Sequence, residues 1–149
     1  MNLSYTIQTR KNFRDLVKSL TLEQLNHIPE GYNNNIIWNF GHTLVTHQLL
    51  CYTFSGIAPR VSHELIEMFK KGTAPVGKLE QVDVNNLLEL AESLLESFAS
   101  DLESLDFSNY TSYTTSFKVT LSSIEEATAF NAIHEGVHFG YALALKKLV

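Results

Sequence analysis

Two histidines, His134 and His138, stand four residues apart in the string His134-Glu135-Gly136-Val137-His138. On a helix they lie one above the other on one face, about 40° out of line. That spacing lets two imidazoles reach one metal ion. A helix from Thr120 to Val149 is expected here. Ala127, Phe130, Val137, Tyr141, Leu145 and Leu148 form an apolar stripe on it, opened by a capping box of Ser122 with Glu125 or Ser123 with Glu126. The histidines share the stripe and are expected to face the core. A single histidine on such a stripe is ordinarily a hydrogen-bonded packing residue, whereas two at ligand spacing point to a metal.

A third ligand has to come from another element. The second long helix, expected over Ile36 to Phe54 and capped from Asn33-Asn34-Asn35, carries His42 and His47. Its apolar residues occupy two arcs. Ile36, Ile37, Phe40, Leu44, Cys51 and Phe54 form one, and Trp38, Val45, Leu49 and Tyr52 the other. A helix apolar on two sides packs on two sides, so one side is expected in the core and the other at a subunit interface. His42 borders the Trp38 arc and His47 lies within the Phe40 arc. Five residues apart, they point about 140° from each other and do not share one ion without distortion. Periodicity leaves open which of them joins His134 and His138.

Two more long helices complete the scaffold. Leu3 to Leu20 has Ile7, Phe13, Leu16, Val17 and Leu20 on its apolar side and Arg10, Lys11, Arg14, Asp15 and Lys18 on its wet side. Val84 to Leu105, capped by Asp83, carries a run of leucines with Phe98, and Glu89, Glu92, Glu96, Asp101 and Glu103 mark its outer face. Thr21 with Gln24 caps a short helix ending near His27, and Ser62 caps another through Phe69, with His63 in its first turn. Both of these histidines read as surface residues. Lys71 to Leu79 is a Gly/Pro-bearing linker. Asp106 to Leu121 is an ordered crossing loop in which Tyr113 to Phe117 has strand propensity without a clear pairing partner.

Four long helices, two long connections and no convincing strand imply an all-α fold, a four-helix bundle with crossover connections, as one domain over residues 1–149. The interior of such a bundle is where facing helices build metal sites. Three neutral imidazoles suit zinc, nickel, iron or copper and leave coordination positions open for water or substrate. A metal with an open position polarises a carbonyl or deprotonates a bound water or thiol.

Asn35-Ile36-Ile37-Trp38-Asn39-Phe40-Gly41-His42 resembles the Trp-x-x-x-His segment of the DinB/YfiT-like superfamily, and His134-x-x-x-His138 resembles its second metal motif. The likeness spans essentially the whole chain. It selects His42 over His47 as third ligand. It implies a DinB-like bundle with crossovers, a divalent metal ion (zinc or nickel foremost) on His42, His134 and His138, and a homodimer. For some members it implies thiol transfer or isomerisation with a low-molecular-weight thiol such as bacillithiol or mycothiol. The reading is a metal-dependent transferase or hydrolase acting on a small-molecule substrate. Trp38 and Tyr141, each one turn from a ligand, are expected to line the pocket.

Two other readings compete. One is a non-enzymatic, dimeric helical binding or stress-response module with a structural or vestigial metal site. The other takes His134-Glu135-Gly136-Val137-His138 as a metallohydrolase H-E-x-x-H string, with Glu135 as general base. It is weak, because no sheet is expected to hold a peptide and no third ligand lies among the eleven residues after His138. Gly136 and Gly140 are expected instead to allow close helix approach.

Composition bounds the rest. The net charge is -5 with no basic stripe, which argues against nucleic acid as a partner. The single cysteine, Cys51, is expected to be a buried, inert thiol. No run approaches membrane-spanning length, and the N-terminus carries charges every few residues without an apolar signal core. A cytoplasmic protein is expected.

Overall fold

The computed structural model describes all residues, Met1–Val149. Four long helices dominate it: α1 (Ser4–Lys18), α3 (Ile36–Cys51), α5 (Gln81–Ser104) and α6 (Ile124–Leu145). Two short helices, α2 (Leu22–Asn26) and α4 (His63–Phe69), fill the connections. The long helices close a ring in which α6 and α5 each lie against both α1 and α3. This is the expected all-α architecture.

Local chemistry sets the helix starts. Thr21 and Gln24 form the reciprocal capping box of α2, and the Asn35 and Ser62 side chains accept from the backbone N–H of Trp38 and Leu65 to open α3 and α4. Between the two possible boxes of α6, Ser123 is the cap, accepting from Glu126 N–H. α5 begins before the expected Asp83 cap. Glu80 is the cap, and Asp83 is the residue whose carboxylate reaches back to it. The segment after α5 holds a short antiparallel pair, β1 (Tyr113–Thr114) with β2 (Thr120–Leu121), so the strand propensity there does find a partner.

α3 is the central helix. All of its residues except Thr46 and Leu49 are buried within the chain. Its second apolar arc is therefore covered by the protein's own segments and does not supply the expected subunit interface. Trp38, for example, donates through Nε1–H to the Met68 carbonyl at 3.3 Å. Close approach is concentrated at Gly41, where a Cβ would fall 2.6 Å from the Phe69 ring. Gly136 and Gly140 face open space instead.

Two polar residues expected on wet faces are buried. Arg10 is 1% exposed and pairs with Glu135 of α6. Asp101 accepts from Tyr52 Oη at 2.6 Å and is held by Arg60. The reverse holds on α6, where Val137 is 50% and Tyr141 37% exposed. That helix is apolar nearly all round, so its composition did not reveal which arc faces inward.

Candidate metal centre

α3 and α6 pack side by side and carry the three expected histidines to one place. One potential ligand atom from each of His42, His134 and His138 lies within 4.8 Å of the others. The ring centroids of His42 are 5.1 Å from those of His134 and 4.6 Å from those of His138. The geometry thus groups His42, and not His47, with the α6 pair. His47 points to the other side of α3, where its buried ring meets Phe98 edge-on at 4.7 Å.

Hydrogen bonds outside the cluster orient two of the rings. His42 Nδ1–H donates to the Phe69 carbonyl at 2.6 Å. Asn39 places its Oδ1 2.8 Å from His138 Nδ1. The Asn39 amide is itself fixed, because Nδ2 donates to the Asn35 carbonyl at 2.7 Å and to Asn34 Oδ1 at 3.1 Å. Oδ1 must then face His138 and accept, which puts the His138 proton on Nδ1 and frees Nε2. The same logic frees Nε2 of His42, to which the Thr46 hydroxyl donates at 3.3 Å. Such outward bonds through one ring nitrogen are how proteins orient imidazole ligands. Asn35 therefore caps α3, and Asn34 and Asn35 together buttress a candidate ligand.

The imidazoles are held neutral. Burial, reinforced by its two histidine neighbours, lowers His134 to about 3. Burial and the nearby His42 lower His138 to about 4. Burial also lowers His42, against the raising effect of the Phe69 carbonyl. Neutral imidazole is the metal-binding form. His134 Nδ1 is buried without a hydrogen-bond partner. An unpaired buried polar atom is costly, and a cation is one thing that can satisfy its neighbourhood. The residues present fit a divalent ion.

The cluster opens on a cavity of about 370 Å³ walled by Leu49, Phe54, Phe117, Phe130 and Val137, with Thr46, Thr53 and Lys71 among its polar lining. Neither Trp38 nor Tyr141 lines it, contrary to expectation. Trp38 stacks on His42, centroids 4.8 Å apart, and its other side faces a separate cavity. Tyr141 turns toward Tyr32.

Glu135 is not at the cluster. It projects to the opposite side of α6, where Arg10 Nε–H donates to Oε2 at 3.2 Å, a second guanidinium bond reaches Oε1, and Asn131 Nδ2 donates to Oε1 at 2.8 Å. A carboxylate so engaged, 1% exposed, is not placed as a general base for the histidine site. The H-E-x-x-H reading fails on this geometry. Cys51 is equally removed from chemistry, since burial pushes its thiol up to about 12.

Residues 5–142 match the sequence profile of the DinB superfamily. The chain belongs to the DinB superfamily. Its fold is similar to the crystal structure described as the conserved protein of locus from Enterococcus faecalis, with a TM-score of 0.66 at 16% identity, covering 99% of this chain and 95% of that one. No curated protein matches it. For this DinB-superfamily chain, a group of three neighbouring histidines fits metal binding. No helix is long and apolar enough to cross a membrane.

Sequence reasoning missed Asn39 and Arg10. Asn39 had a signal: a weak helix former within the apolar turn that leads to His42, one turn before it. Arg10 had none, because its partner lies 125 positions away.

Proposed function

We propose that this DinB-superfamily protein is a metal-dependent enzyme that transfers or hydrolyses a group on a small molecule. His42, His134 and His138 hold one divalent ion in this reading. The observation that carries it is the convergence of three neutral imidazoles within 4.8 Å at the edge of a half-open cavity. A bound divalent ion supplies Lewis acidity, lowering the pKa of a water or thiol that reaches it. Zinc or nickel suits the all-nitrogen donor set.

The chain's own residues have narrower tasks. Asn39 and the Phe69 carbonyl keep two rings in one tautomer and orientation. Phe54, Phe117 and Phe130 keep the cavity apolar and limit water. Thr46 stands beside His42 Nε2 as a hydroxyl able to give or accept a proton near the reacting end. No Asp or Glu lines the cavity, so proton transfer falls to hydroxyls, to Lys71 or to the substrate itself. A low-molecular-weight thiol is a suitable co-substrate because it brings its own ionisable group.

Elemental analysis of the untagged protein and its His42→Ala variant tests this reading. Near one divalent ion per chain is expected for the wild type, with sharp loss in the variant. Equal retention in His42→Ala would remove that residue from the ligand set.

A homodimer belongs to the proposal, with its interface on α6. The surface of that helix carries no charge between Glu126 and Lys146, since Glu135 is buried, and Ile133, Val137 and Leu143 are exposed. Sedimentation should show a dimer that Val137→Glu dissociates. A monomeric wild type at micromolar concentration would contradict it.

A further inference from the structure

The cavity beside the histidines is electrostatically lopsided. Apart from the histidines, its ionisable lining residues are Lys71 and Tyr113, and it has no carboxylate. Lys71 forms no ion pair or side-chain hydrogen bond, whereas the adjacent Lys70 is held by both oxygens of Glu67 at 2.7 Å. Two neighbouring lysines at the end of α4 are thus treated differently. One is paired with Glu67, and the other, solvent-exposed, stands without an ion pair at the mouth of the cavity. The connection to the histidines is short in the chain, because Phe69, whose carbonyl orients His42, precedes Lys71 by two positions. The same turn that fixes a candidate ligand also delivers the cation.

A divalent ion on three neutral imidazoles would add two positive charges with nothing in the lining to offset them. Positive charge then stands at the histidines and at Lys71, with Leu49, Phe54, Phe130 and Val137 in the walls. A cationic ligand is repelled at both places, and a neutral one gains nothing from the solvent-exposed Lys71 ammonium. An anionic ligand meets complementary charge, and apolar walls strengthen that attraction by displacing water.

We propose that Lys71 is a specificity-determining residue that selects small molecules carrying a carboxylate or comparable anionic group, held with the other end of the molecule directed at the three-histidine site. The inference rests on the metal-site reading above. It adds the charge class of the ligand and the residue that reads it.

The test uses cobalt-loaded protein and simple thiols as probes. Titrations with 3-mercaptopropionate, 6-mercaptohexanoate, 2-mercaptoethanol and cysteamine are followed by the sulfur-to-cobalt absorption band, in wild type, Lys71→Met and Lys71→Arg. Comparing each thiol between wild type and variant cancels its own acidity. Lys71→Met is expected to weaken the better-fitting mercaptocarboxylate about three- to tenfold, the range for a charge-assisted contact that is partly exposed. It should leave 2-mercaptoethanol unchanged and leave cysteamine unchanged or slightly tighter, and Lys71→Arg should retain the preference. Cobalt uptake with mercaptocarboxylate affinities indifferent to Lys71→Met would overturn the role of Lys71 while leaving the metal site standing. Failure to take up cobalt would overturn the metal site and this inference with it.

Discussion

Residues 134–138 of α6 serve two polar constellations that differ in charge pairing and in access to a cavity. On one side, Glu135 is saturated: Arg10 and Asn131 occupy its carboxylate, and both members of the ion pair are sealed from water. On the other side, His134 and His138 join His42 with ring nitrogens left over and a cavity in front of them. The first arrangement ties α6 to α1 through a buried ion pair, with Arg10 Nη1 and Asn131 Oδ1 left without partners. The second leaves room for a metal ion. Each side leaves a buried polar atom unpartnered, so the difference lies in access: an ion pair sealed inside the chain argues for architecture, and neutral imidazoles grouped at a cavity argue for a ligand.

The comparison can be broken most forcefully from the Glu135 side. Glu135→Ala leaves the Arg10 guanidinium buried without its counter-charge, and a loss of about 3–5 kcal/mol in urea unfolding is expected. Replacing both partners together, Arg10→Met with Glu135→Leu, should recover most of that loss, because two apolar side chains leave little to solvate. A loss below about 1 kcal/mol for the single variant would show that the pair carries little of the α1–α6 packing.

On the histidine side the sharper instrument is Asn39. It touches no ion in the proposed site, and it only orients His138. Asn39→Ala is expected to weaken zinc binding about 10- to 100-fold in a competitive chelator titration while the far-ultraviolet circular dichroism stays unchanged. Unchanged affinity would mean that packing alone orients the ring.

The smallest effect concerns pH. Folded His134 and His138 take protons at about 3 and about 4, whereas in the unfolded chain histidine titrates near 6.5. Above about 6.5 both states hold neutral imidazoles, and the full stability is present. Below it the unfolded chain binds more protons, so stability falls with falling pH until the folded values are reached. Metal-free protein should lose about 1–2 kcal/mol between pH 7 and pH 5 through these two residues, allowing for their partial exposure. The His134→Gln/His138→Gln variant should show a shallower slope, and equal slopes would contradict the buried neutral state.

The same contrast explains what could be read before the fold was known. Helical spacing brings His134 and His138 into line wherever the helix sits, so the pair was legible from its chemistry and a single period. The choice of His42 over His47 was not legible in that way, because an apolar helix buried on all sides has no wet face to orient it. The family resemblance selected His42, and the three-dimensional grouping agrees. Arg10 and Asp101 lay on faces that looked wet, and each is buried by a partner far away in sequence. Burial of a charge is decided by tertiary pairing, which local periodicity does not contain. Val137 and Tyr141 erred the other way. On a helix apolar nearly all round, the stripe chosen from sequence was one arc among several.

The most direct test of the division along α6 is the metal content of Glu135→Gln beside that of His138→Ala, each purified without a tag, incubated with zinc and desalted. The predicted result is near one ion per chain in folded Glu135→Gln and almost none in His138→Ala. An empty, folded Glu135→Gln protein, or a His138→Ala protein that keeps its ion, would contradict the assignment of one side of the helix to the metal and the other to the fold.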